Sequence, residues 1–540
     1  MQLVNKGAQD QLVTGSPSFT HFRSVYKRHT EFAMEHFVVN FRGSDLNLNS
    51  QMTKTFRAKI DRNAQLLHDC YVHVQIPNIY SPVSPNGDGT ATPYNFQWIP
   101  NLGYNMIKSV SVLINGTAIV THTGEWMKLY SYLTHDANKR KLIDNLIGNV
   151  PDLIDPANTN KRFNQYPHAI TSLTTKATPS IVGREIVIPL HFWFCENVGS
   201  ALPLVSLQYS EVEIVVEFQN IYSLFTVNDV RKSSATYNTR IAPDVTDSVF
   251  AMNRFLSPPL VDCSPSNTSL ANWSLQPFIN ANYIFLSDPE VIHLAKSDNS
   301  FMIKELNFVV SDGVYGAGND VAIPLTNLCT RLVWVGQRSD ILNQPDNYTN
   351  TLPPNFGTIG SDVTPWFSSS GIAEREILVD STLILDGADR EPTKSNIFFG
   401  SVQQYKHHTG IGIPGIYSYS FALDHHTHQP SGHINGSMFN KPILRLTTQI
   451  PPIQASSTST QVCIVKSTAL NKRPVPVSLP IPLNPSGQPI DKSLNPDSVL
   501  SVITKSPSTV TQFTYSFRVY AESYNFLRIT RGIANVVFSS

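Results

Sequence analysis

Charge is scarce in this sequence. Only 15% of its 540 residues are Asp, Glu, Lys or Arg, against a usual share of about a quarter. The 40 basic residues cancel the 40 acidic ones. A neutral chain lacks the basic footprint of a genome-binding protein, and the longest basic run is Lys139-Arg140-Lys141. It also lacks the self-repulsion that keeps molecules apart, so association with other subunits is expected. Cysteine is sparse and scattered: Cys70, Cys195, Cys263, Cys329 and Cys463. An odd number with no CxxC pair argues for free, buried or half-buried thiols in a reducing compartment rather than a disulfide set or a metal site. No apolar run approaches the ~18 residues of a membrane-spanning helix. Met1–Lys6 has no signal-peptide core, and Gln2 stands where N-myristoylation needs glycine. GxSxG, HExxH and GxxxxGKS/T are all missing, which removes the commonest hydrolase and nucleotide-binding readings.

Strand patterns dominate what remains. Apolar residues fall on every second position in Tyr71–Ile76, Glu211–Phe218 and Gln512–Val519. Such alternation predicts antiparallel sheets with one face on a core and one toward water. Thirty-seven prolines and 27 glycines punctuate the pattern. One helical stretch stands out, roughly Gly124 to Leu146, with Trp126, Leu129, Tyr130 and Leu133 at helical spacing. Many short strands, turn-rich links and little helix predict sandwiches or jelly rolls, and 540 residues are too many for one core.

Two short signals recur in the same order. Val110–Ile114 runs into Asn115-Gly116, and Thr382–Leu385 runs into Asp386-Gly387; both are hairpin turn signals. Tyr283-Ile284-Phe285-Leu286 then matches Tyr524-Asn525-Phe526-Leu527. The pattern predicts two copies of one β-domain joined near Ala295–Ser300: an arm over 1–30, a first domain over 31–295 and a second over 296–540. Segments 219–280, 344–372 and 451–508 are rich in Ser, Asn, Thr and Pro and read as insertion loops or extended arms, expected on the outward, recognition-bearing end.

Candidate sites are few. His407-His408 and His425-His426-Thr427-His428 could ligate a metal, but a cupin-type site needs a carboxylate and a further histidine on strands. Asp424 is adjacent, yet the cluster reads as a polar loop, with a pH-sensing role as a second use. Gly410-Ile411-Gly412-Ile413-Pro414-Gly415 spells GxGxxG without a following helix and reads as a glycine-rich turn. No catalytic residue, metal ligand or cofactor is assigned.

The opening residues Gln2-Leu3-Val4, Gly7-Ala8-Gln9-Asp10, Thr14-Gly15-Ser16-Pro17 and Tyr26–Glu35 resemble the N-terminal signature of major capsid proteins of nucleocytoplasmic large DNA viruses, the chlorella virus and iridovirus type. Ala201–Val212, Tyr283–Leu286, Tyr417–Leu423 with Gln429-Pro430-Ser431-Gly432, and Tyr520–Ile529 resemble further family blocks, in order along nearly the whole chain. A departure lies at His433–Met438, where the family usually carries Asn-x-Ser-Arg. The resemblance implies an all-β fold of two consecutive eight-stranded antiparallel jelly rolls, a double jelly roll with long insertion loops. It implies a structural, non-enzymatic subunit that trimerises into pseudo-hexameric capsomers tiling an icosahedral shell. Implied partners are neighbouring capsomers, minor capsid and penton proteins, inner membrane proteins and a folding chaperone, with no direct nucleic-acid contact. The implied location is the virion shell, assembled in host cytoplasm or a viral factory. A scaffolding protein that shapes immature virions is the alternative; a glycan-binding lectin rests on architecture alone.

Sequons occur at Asn115, Asn267, Asn272, Asn347 and Asn435, but nothing in the N-terminal sequence directs the chain to the machinery that reads them. The intact-protein mass is expected to match the sequence with no hexose at these five asparagines; mass spectrometry of virion-derived protein checks this.

Overall fold

The computed structural model describes residues 7–43, 47–48, 52–85, 91–162, 165–167, 178–230, 239–243, 250, 252–256, 273–339, 346–350, 376–425, 429–450, 461–466, 499–505 and 514–538. Eight principal strands come first: β1 (Phe32–Asn40), β2 (Lys54–Lys59), β3 (Leu66–Gln75), β4 (Ile107–Ile114), β5 (Thr117–Thr123), β6 (Glu185–Pro189), β7 (Val212–Phe218) and β8 (Phe278–Leu286). They form two antiparallel sheets in the orders β1-β8-β3-β6 and β2-β7-β4-β5. Eight more follow: β9 (Asn299–Val314), β10 (Asn319–Ala322), β11 (Leu328–Arg338), β12 (Leu378–Leu385), β13 (Ala388–Ser395), β14 (Ile416–Ser420), β15 (Pro442–Thr448) and β16 (Tyr515–Thr530). Their sheets run β9-β16-β11-β14 and β10-β15-β12-β13. Each set is one eight-stranded jelly roll, and the second repeats the strand order of the first.

Alternation builds each sheet. In β7, Val212, Ile214, Val216 and Phe218 are buried. The intervening glutamates face away from the core, where Glu213 meets Arg42 at 3.1 Å and Glu217 meets Lys108 at 2.9 Å. The first core gathers Phe56, Val72, Val112, Ile188, Ile214 and Ile279 from both sheets. The second gathers Leu332, Trp334, Leu383, Leu444, Phe517 and Val519. The two hairpin signals occupy equivalent places, β4–β5 and β12–β13. Asn115 and Gly116 have φ of +53° and +80°, and Asp386 and Gly387 +50° and +84°. Two successive left-handed residues make the turn that matches strand twist, which is why Asn-Gly and Asp-Gly recur there.

One outer edge is strongly polar. Among the described residues strand β13 pairs only with β12, and its Asp389, Arg390, Glu391 and Lys394 sit beside Pro392. Charges and proline on a free edge deter pairing with other chains.

Several expectations need correction. The stretch 124–146 is two helices, α1 (Gly124–Thr134) and α2 (Ala137–Leu146). They part at His135-Asp136, where the Asp136 carboxylate accepts the Lys139 N–H at 2.8 Å and starts the second helix. Another helix, α3 (Asp288–Lys296), leads into β9 and went unread. Segment 219–280 is not all loop: Phe225–Asp229 pairs with Gln97–Trp98 and Thr239–Ile241, and Ile221, Leu224, Phe225 and Val227 are buried in the first core. Segment 451–508 contains paired strands Gln461–Lys466 and Val499–Lys505. The remainder of the three segments lies largely outside the described residues. Finally, β16 does not turn one face to water: Tyr515, Phe517, Val519 and Ala521 enter the second core, while Ser516, Tyr520 and Glu522 are buried on the opposite side.

Candidate functional site at the junction of the two rolls

The hidden face of β16 is covered by α1, a helix of the first roll. Trp126, Leu129, Tyr130 and Leu133 pack with Val333 and Val335 of β11, Ile416 of β14, Tyr520 of β16 and Tyr348 as one buried cluster. The apolar helical face visible in the sequence therefore belongs to a third core, shared between rolls. Thr123 caps the helix by accepting the Trp126 N–H at 3.1 Å. Gly124 lets the helix start against the chain: a Cβ there would lie 2.1 Å from the carbonyl oxygens of Tyr104 and Ile107. Burying a large apolar side chain is worth about 1.5–3 kcal/mol, so this cluster alone strongly disfavours separation of the rolls.

Charges bridge the same surface. Arg518 Nε lies 2.5 Å from Glu125 Oε2, and Tyr348 donates its hydroxyl to Glu125 Oε1 at 2.8 Å. Arg331, fully buried, lies 2.7 Å from Glu522, and its guanidinium sits 5.3 Å from the Trp126 ring and 5.5 Å from that of Tyr130. Lys304 meets Glu196 at 2.8 Å, and Lys128 pairs with Asp346. Burial works to raise the carboxyl pKa of Glu125 and Glu522, yet Arg518 and Arg331 prevail and hold both below the ordinary range. The described part of segment 344–372, residues 346–350, thus lies inside the junction, with Asp346 paired and Tyr348 and Asn350 buried.

The GxGxxG run has a structural use. Thr409 donates its hydroxyl to the Thr134 carbonyl at 2.6 Å, and the Gly410 N–H reaches the Leu133 carbonyl at 2.9 Å. The last carbonyls of α1, left over by the helix, are satisfied from the second roll. A Cβ on Gly410 would fall 2.0 Å from the Tyr132 carbonyl, so the glycine is dictated by close backbone approach.

The histidine clusters lie nearby. His408 and His425 rings stack at 5.2 Å, Ser420 Oγ is 2.6 Å from His425 Nε2, and His407 Nδ1 is 3.0 Å from the Leu423 carbonyl. Among the described residues no group of three His, Cys, Asp or Glu side chains is placed to hold a metal; His426 and His428 lie outside them. A separate buried set was missed in the sequence: His122 stacks on Phe192, and His191 binds the Tyr104 hydroxyl at 2.9 Å beside His135. Arg331, Arg518 and Glu522 were missed too, because a polar residue alternating with apolar ones reads as solvent-facing. The one available signal was the aromatic Tyr520 among them.

On the outside, residues 7–31 are exposed throughout, including Leu12, Val13, Phe22 and Tyr26; Phe22 is 99% exposed. This segment holds a short helix, Ala8–Thr14, and no residue of it is buried.

Two rolls of identical strand order, fused side by side, define a double-jelly-roll protein of the viral-shell type. The solved structure of VP54 from PBCV-1, fitted into a reconstruction of the virophage Sputnik, superposes with a TM-score of 0.62 at 20% identity, covering 96% of this chain and 100% of that one. The family description "Major capsid protein N-terminus" matches residues 20–286, and "Large eukaryotic DNA virus major capsid protein" matches 290–472. The major capsid protein of Phaeocystis pouchetii virus is 27% identical, over 85% of this chain and 94% of its own length. That of Paramecium bursaria Chlorella virus 1 is 25% identical, over 100% and 99%. The chain belongs to the major capsid proteins of large eukaryotic DNA viruses and is a structural protein of the virion shell.

Two outcomes test the junction. Glu125→Ala leaves Arg518 and the hydroxyls of Tyr348 and Tyr520 without their shared acceptor and is expected to cost about 3–5 kcal/mol. Adding Arg518→Ala is expected to restore part of that loss, read from urea unfolding as a coupling energy. The second outcome concerns acid. Burial lowers His122 and His135 from 6.5 to about 4, and lowers His191 and His408 well below 6.5. The unfolded chain therefore binds more protons, and stability falls as pH drops from about 6.5 to about 4. Glu125 and Glu522, also held low, act in the same direction further down. Melting temperature measured at pH 7.5 and pH 5 is expected to be lower at pH 5, with the drop reduced in His122→Phe.

Proposed function

We propose that three copies of this chain associate into a pseudo-hexagonal block, and that such blocks tile the faces of an icosahedral shell. The observation that carries the reading is the apolar and charged junction around α1, which holds two rolls as one rigid unit. Three rigid pairs supply six similar lobes, the number a hexagonal lattice needs. The division we assign is an arm over 1–30, a first roll over 31–295 and a second over 296–540; β1 beginning at Phe32 and helix α3 ending at Lys296 support it. The exposed arm, with Leu12, Val13 and Phe22 unburied, is assigned to contacts on the inner side with neighbouring blocks or minor capsid proteins. Penton proteins, inner membrane proteins and a folding chaperone are further partners; long-range β pairing exposes strand edges during folding, which favours assistance. Assembly is assigned to host cytoplasm or a viral factory. The subunit carries out no reaction and touches no genome in this reading, in keeping with its neutral charge.

Mass photometry of the purified protein at micromolar concentration is expected to give a trimer; monomers alone would overturn the block. In purified virions the chain is expected to be the most abundant protein, whereas a discarded scaffolding protein would be absent.

A further inference from the structure

The fold brings together two thiols that lie far apart in sequence. Cys70 is on β3, and Cys195 is in the helical turn Trp193–Glu196. Both sulfurs approach one acceptor: Cys70 Sγ is 3.6 Å and Cys195 Sγ 3.8 Å from the His68 carbonyl oxygen. The backbone is already clamped at this place, since the Leu190 N–H donates to the Cys70 carbonyl at 3.1 Å. Both cysteines also line one cavity of about 560 Å³, with Tyr71, His135, Lys139 and Leu142. Cys70 is buried, while Cys195 is half-buried. Cys329, by contrast, is fully buried in the second core, its Sγ turned to the Arg331 carbonyl.

We propose that Cys70 and Cys195 are a redox-modification site, a dithiol that a small disulfide oxidant entering the cavity converts into a cross-link. Cys195, the more accessible, attacks the oxidant's S–S bond and expels one thiol. Cys70 then attacks the Cys195 sulfur and expels the second. Two protein S–H bonds are lost, one protein S–S bond forms, and the oxidant leaves as two thiols that carry the two protons. Burial raises the Cys195 thiol well above its ordinary pKa, so little thiolate forms at neutral pH and the exchange is slow. A shell protein that passes into an oxidising exterior meets the required oxidant.

The cross-link would fix a particular contact. The turn that carries Cys195 also carries Glu196, the partner of Lys304 on β9. Tying that turn to β3 holds this bridge between the rolls in place, and it ties residues distant along the chain, which restricts the unfolded state.

The test uses the full-length protein, incubated with oxidised glutathione and then alkylated, digested under non-reducing conditions and mapped by mass spectrometry. A Cys70–Cys195 linked peptide is expected, with an intact mass lower by two hydrogens and a higher thermal midpoint, both reversed by a phosphine reductant. Cys195→Ser is expected to abolish the link and the shift, and Cys329→Ser to leave both intact. Mapping of the wild-type protein does not depend on either variant folding. Glutathione adducts on Cys195 without a cross-link, pairing with another cysteine, or no reaction would each overturn the proposal.

Discussion

The rest of this architecture depends on the packing of one helix of the first roll against a sheet of the second. Helix α1 closes the outer face of β11, β14 and β16, which a lone jelly roll would leave wet. Apolar burial supplies the attraction there, through Trp126, Leu129, Tyr130 and Leu133. The charged pairs supply orientation. A buried ion pair gains little over an apolar pair of the same size, but breaking it is costly. Arg331 between two aromatic rings and Glu522 has few alternative places to go. Sliding or rotating one roll on the other would strand Glu125, Lys304 and Lys128 together and pull Arg331 away from its two rings. The geometry between the rolls is thereby fixed, and a lattice that repeats one block many times needs that angle to be constant.

Much of the fold was legible because jelly rolls are written in short-range patterns. Alternation in Glu211–Phe218 locates β7, and two hairpin turns with paired left-handed residues locate β4–β5 and β12–β13. The duplicated strand order explains why Asn115-Gly116 and Asp386-Gly387 recur at matching places. The junction was not legible, and the reason is physical. Periodicity reports that Ser516, Arg518, Tyr520 and Glu522 share a face, but it cannot say whether water or a second domain lies on that side. The helix was found from its spacing, yet its partner was not, since an apolar stripe carries no address. Glycines at 410–415 gave a correct turn and no hint that its amides finish a helix nearly 280 residues earlier in the chain. Segment 219–280 was read as loop because it is rich in Ser, Asn, Thr and Pro; tertiary burial of Ile221, Leu224, Phe225 and Val227 overrides that composition at its start.

Strand β13 has a consequence for how a shell can be built. Its free edge, set with Asp389, Arg390, Glu391, Pro392 and Lys394, is a poor template for another strand. At this edge, contact with another block is left to side-chain surfaces, which come apart far more readily than a continuous ladder of backbone hydrogen bonds. Reversibility of this kind decides the yield of a closed container. A misplaced block held by side chains can dissociate and return correctly, whereas one zipped on by its backbone would stay, and its error would be inherited by every block laid down after it.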